Sequence, residues 1–124
     1  MNAFVVVGSI SAFVGVAAGA FGAHALKTRL SPEMLAVFEV GARYHLVHAL
    51  AIVLTGVFAA RNPSAAGAYA GYAFLFGTVL FSGSLYALAL SGVKGLGAVT
   101  PLGGLLFLSG WALLALAAWR GVRA

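Results

Sequence analysis

Four long apolar stretches, at about residues 3–26, 44–60, 66–90 and 101–119, are separated by short breaks that hold nearly all of the charged side chains. Each stretch is close to the roughly 20 residues that an α-helix needs to cross about 30 Å of hydrocarbon. None alternates with period two. Backbone polar groups in lipid must be paired within their own segment, so the pattern predicts helices and not barrel strands. The expected fold is an all-α membrane protein, a four-transmembrane-helix bundle forming a single domain over residues 1–124.

The breaks refine this picture. Ser31, Pro32 and Glu33 make a strong helix start, with a capping hydroxyl, a first-turn proline and an acid at the positive dipole end. Apolar Met34, Leu35, Val37 and Phe38 then alternate with Glu33, Glu39 and Arg43, which predicts a short interfacial amphipathic helix at about residues 32–42, between spans one and two. Glu39 and Arg43 stand at i and i+4 in the favourable order for an ion pair, and Gly41 is the expected bend into span two. Pro63 disfavours helix at Asn62 and predicts a tight turn between spans two and three. A glycine-rich link over residues 92–97 carries Lys94, and Thr100 with Pro101 starts the fourth helix.

Small residues mark the expected packing faces. Ser11, Gly15, Gly19 and Ala23 recur at every fourth position of span one, and Gly67 and Gly71 open span three. Such stripes let backbones approach closely, which matters because lipid gives two apolar helices no hydrophobic reason to associate. They can serve packing inside the chain or, through Gly15 and Gly19, a homo-oligomer.

Composition agrees with a membrane. Of the residues, 63% are hydrophobic and 7% charged, too few to cover a water-soluble surface. The net charge of +5 comes from scattered residues, Lys27, Arg29, Arg43, Arg61, Lys94, Arg120 and Arg123, set at the ends of apolar runs beside Tyr69, Tyr72 and Trp119. They read as interfacial anchors facing lipid, not as a nucleic-acid surface. Cysteine is absent, which removes disulfides and thiolate metal sites. The first apolar run has no preceding Lys or Arg and is too long for a signal peptide, so it is read as a retained span. Four positive residues on one side against three on the other leave orientation nearly balanced; the lack of basic residues before span one tilts it toward an exterior N-terminus.

Antiparallel threading gathers polarity at one end. The end of span one, the start of span two, the end of span three and the start of span four share a leaflet, and they carry His24, Tyr44, His45, His48, Ser82, Ser84, Tyr86, Ser91 and Thr100. The other leaflet holds mainly Ser9, Ser11, Thr55, Tyr69, Tyr72 and Ser109. His45 and His48, at i and i+3, are expected on one helix face. Ionisable groups at membrane depth are costly and point to a bundle interior or to water. Three readings follow: hydrogen-bonded glue between helices, a haem or metal site on the three imidazoles, or a path for a proton, ion or small polar solute.

Other chemistry is thinly supplied. The chain has no Asp, and both Glu residues fall in the amphipathic segment, so paired-carboxylate catalysis within the spans lacks its groups. The Ser82-Gly-Ser84 stretch lacks the second glycine of a nucleophile elbow. No catalytic residue, metal or cofactor is assigned.

Four ordered motifs also carry a resemblance: Gly19-Ala-Phe-Gly-Ala-His24-Ala-Leu-Lys27, Tyr44-His-Leu-Val-His48-Ala-Leu, Leu80-Phe-Ser-Gly-Ser84-Leu-Tyr86, and Thr100-Pro-Leu-Gly-Gly104 with Gly110-Trp111. Over nearly the whole chain the sequence resembles the YgdD-like small inner-membrane proteins, domain-of-unknown-function family 423. The resemblance implies a four-span bacterial plasma-membrane protein and no particular activity. His45 departs from the family pattern, where Gln follows the tyrosine. The expected role is non-enzymatic, an accessory or interaction protein; the alternatives are an oligomeric transporter or channel and, third, a haem or metal protein.

Overall fold

The computed structural model describes the backbone of residues 1–123 and the side chains of residues 1–121, so the anchoring expected of the Arg123 side chain lies outside the described residues. Four helices are long and apolar enough to cross a membrane: Ala3–Leu26, Pro32–Arg61, Ala65–Ser91 and Lys94–Gly121, spans one to four in chain order.

Local chemistry sets their ends. The Asn2 side chain accepts from the Val5 amide, and its Nδ2 donates to the Gly56 carbonyl at 2.8 Å, pinning the start of span one to the end of span two. Ser31 caps span two by accepting from the Met34 amide, and Ser64 caps span three by accepting from the Gly67 amide. Span three stops at Gly92, whose φ of +74° is a left-handed conformation that side chains resist. A 3-10 turn over Lys94–Ala98 then leads into the helix Thr100–Arg123. Span one is α-helical over Ala3–Val16 and widens into π-helical turns over Ala17–Gly22 before one last α turn.

Two expectations about the amphipathic segment are corrected. It is helical, but it is not a separate element: Pro32–Arg61 is one unbroken helix of 30 residues, about 45 Å at 1.5 Å per residue. Gly41 is not a bend. A Cβ there would stand 3.1 Å from Tyr86 Cε1 and 3.2 Å from Leu85 Cβ, so the glycine lets span three approach. Glu39 and Arg43 both lie exposed, and among the described residues they form no ion pair.

Spans two and three form the centre, with span one laid on span two and span four on span three. The core cluster is Ala51, Ile52, Ala70, Phe74 and Phe107. The small-residue stripe of span one is used within the chain: Gly8 and Gly15 are buried, with Val53 and Leu46 respectively filling the space a Cβ would take. Gly19 faces Ala42. Gly71 lies under the Phe4 ring, whereas the nearest atom to a Cβ at Gly67 would be its own capping Ser64 hydroxyl. A further close interlock joins spans three and four, where Gly77 receives Phe107, Gly110 receives Phe74, and Gly103 meets the backbone of Phe81.

Candidate functional site

Because helix Pro32–Arg61 starts so early, His45 and His48 lie near its middle and not at its start. Both are nearly buried, His45 at 6% and His48 at 4% exposure, but they turn to different neighbours.

His48 faces spans three and four. Its Nδ1 stands 2.8 Å from the Tyr44 carbonyl, and Trp111 Nε1 donates to its Nε2 at 3.1 Å. A carbonyl can only accept and an indole N–H can only donate. The two partners therefore define a neutral imidazole with its proton on Nδ1. The ring stacks on Phe107 at 3.5 Å between centroids, 7° from parallel, and meets Trp111 and Phe74 at steeper angles. Protonation would turn Nε2 into a donor facing a donor.

His45 faces spans one and three. Its Nε2 is 3.0 Å from Ser11 Oγ, and its Nδ1 is 2.9 Å from the Tyr86 hydroxyl. Hydroxyls both donate and accept, so this ring accommodates either neutral tautomer by rotating two O–H bonds. Ser11, His45 and Tyr86, with Thr78 and Ser82, line a cleft of about 390 Å³ between spans one, two and three. A second cleft of about 350 Å³, with Tyr44, His48, Phe81, Phe107 and Trp111 in its wall, opens between spans two, three and four.

The hydroxyls are also committed. Ser82 donates across to the Gly41 carbonyl at 2.7 Å, joining span three to span two. Ser84 donates to the Phe81 carbonyl, which leaves Thr100 as the donor in their 2.6 Å contact between spans three and four. Thr55 and Thr78 donate to carbonyls four residues back in their own helices, Ala51 and Phe74. Among the described residues no buried side-chain N or O atom lacks a partner.

The single polar cluster of the threading argument is therefore divided. His45 with Tyr86, and Ser84 with Thr100, do come together, while Tyr44 contributes its carbonyl and ring instead of its hydroxyl. Ser11 joins His45 although its span position suggested the opposite leaflet, and Trp111, read only as part of a motif, is the partner of His48. His24 stays outside, exposed on span one, and among the described residues no side chain bonds to it. Gly22 faces Phe38 of span two, and His24, two residues and about 200° further round the helix, turns away from it. A shared haem or metal site loses its geometric basis, because both nitrogens of His45 and of His48 are engaged and no group of three His, Cys, Asp or Glu converges among the described residues.

Comparison with known proteins gives this architecture its relatives. Residues 18–104 match the model of a family described as a protein of unknown function, DUF423. A UPF0382 membrane protein of Staphylococcus haemolyticus is 39% identical over 122 residues, 98% of this chain and 99% of the relative. The UPF0382 membrane protein YwdK of Bacillus subtilis is 41% identical over 120 residues, 95% of this chain and 97% of the relative. No solved structure matches.

Proposed function

The chain belongs to the DUF423 family of membrane proteins, and from that premise we propose that it is a non-catalytic accessory protein of the bilayer, a rigid four-span body that engages other membrane proteins. It is a small multi-pass protein of the plasma membrane. The observation that carries the reading is that, among the described residues, every buried polar side chain has an internal partner. A solute path needs groups free to exchange partners with the solute. Here Ser82, Thr100 and His48 are spent on holding one helix to the next, and Thr55 and Thr78 on carbonyls of their own helices, which supports a packing role. The outward face is apolar: Ile10, Phe13, Val16 and Phe21 on span one, and Leu102, Leu105 and Leu108 on span four.

Photo-crosslinking from Phe13 and Phe21 in intact membranes tests this reading. The expected result is a discrete adduct with one protein species; labelling of lipid alone counts against it. Proteoliposomes provide the opposing test, with no proton flux expected. A second reading rests on His45, which sits between two reversible hydroxyl partners beside an open cleft and can take a proton from one and pass it to the other. A flux that His45→Ala abolishes, in protein of unchanged thermal stability, would establish that reading and overturn the first.

A further inference from the structure

We propose that the end of the bundle where spans two and four finish holds a binding site for the phosphate of an anionic phospholipid headgroup, with Arg61 and Arg120 as its donors. Arg61 is the last residue of helix Pro32–Arg61, and Arg120 lies in the closing turns of helix Thr100–Arg123. Antiparallel threading brings these two ends together with the turn that starts span three. The two arginines, with Asn62, Ser64 and Gly121, line one cavity of about 330 Å³.

Two cations in one small cavity repel each other unless an anion lies between them. Among the described residues no acidic side chain supplies it. Its acidic residues number two, Glu33 and Glu39, and both sit in the opening turns of span two. Glu39 is 22 helical residues before Arg61, about 33 Å along the axis. Among the described residues neither guanidinium has a carboxylate partner. Nor does the start of span three form the site, since the Gly67 amide is already capped by Ser64.

The surroundings name the anion. Exposed Tyr69, Tyr72 and Trp119 stand at the same end and mark the depth of the headgroups. The anion present there at high local concentration is a lipid phosphate, and a guanidinium can grip phosphate with two parallel N–H donors. Basic pockets between transmembrane helices hold headgroups on this principle.

The test uses the full chain in neutral detergent, with thermal unfolding followed as phosphatidylglycerol, phosphatidylcholine or inorganic phosphate is added. Phosphatidylglycerol is expected to raise the melting temperature, and phosphatidylcholine to raise it far less. The double variant Arg61→Gln/Arg120→Gln should need roughly tenfold more phosphatidylglycerol for the same rise. A matched control at the other end, Lys27→Gln/Arg29→Gln, should behave as the parent protein. Arg120→Lys keeps the charge and loses the two-pronged grip, and should weaken the response on its own if the double variant does not fold. Equal responses to the two lipids, or equal loss in the control, would overturn the site. A matching rise with inorganic phosphate at the same phosphate concentration would make the occupant a free anion and overturn the lipid assignment.

Discussion

His45 and His48 stand one turn apart on the same helix and are equally hidden, yet they are held in opposite ways. On the side of spans three and four, a donor-only indole and an acceptor-only carbonyl fix His48 in one protonation state, and Phe107 lies flat on its ring. On the side of span one, two hydroxyls that can each donate or accept leave His45 free to exchange tautomers. Backbones approach closely on both sides, through Gly77, Gly103 and Gly110 between spans three and four and through Gly8 and Gly56 between spans one and two, so the division lies in the partners of the two rings. The difference teaches that one imidazole can be a rivet and its neighbour a swivel, and that the choice lies in the partners and not in the histidine.

The largest break in this comparison should come at the seam between spans three and four. Gly103→Leu places a side chain where even a Cβ would stand 2.7 Å from Phe81 Cα, and should cost about 3 kcal/mol or prevent assembly; denaturant unfolding in micelles reads it. His48→Leu should follow, at about 2–3 kcal/mol, because it strands the Trp111 N–H as well as removing a bond. Adding Trp111→Phe to His48→Leu should recover part of that loss, and a strictly additive double variant would disprove the coupling.

His45→Leu should cost less, about 1 kcal/mol, since Ser11 can turn to a carbonyl of its own helix. A cost equal to that of His48→Leu would erase the distinction. The smallest effect leaves stability untouched. Nitrogen NMR at neutral pH should show His48 as a single Nδ1–H tautomer and His45 as an exchanging pair, and two identical spectra would contradict the assignment of roles.

Much of this was readable from residue order. The apolar runs give the spans, and Ser31 with Pro32, the turn at Pro63 and the glycine-rich link from Gly92 mark three of their ends. Both members of the His45–Tyr86 pair and of the Ser84–Thr100 pair fall among the polar residues that threading alone collects. The misses have physical causes. Gly41 looks like a bend because glycine weakens helices, but it is needed for the approach of Tyr86. Treating residues 32–42 as a separate element put the histidines too close to a membrane surface, and so hid Ser11 and Trp111 as partners. The glycine sockets of spans three and four went unread because each needs a phenylalanine on another helix, and one-helix spacing does not show which.

Residue order by itself determined that this chain lives in lipid, how often it crosses, and which few groups are polar enough to need partners there, because those are properties of composition and of single segments. Tertiary structure alone decided which side chain each imidazole meets. Residues three apart on a helix diverge by about 60°, and that angle is enough to send one ring to hydroxyls on spans one and three and the other to an indole on span four.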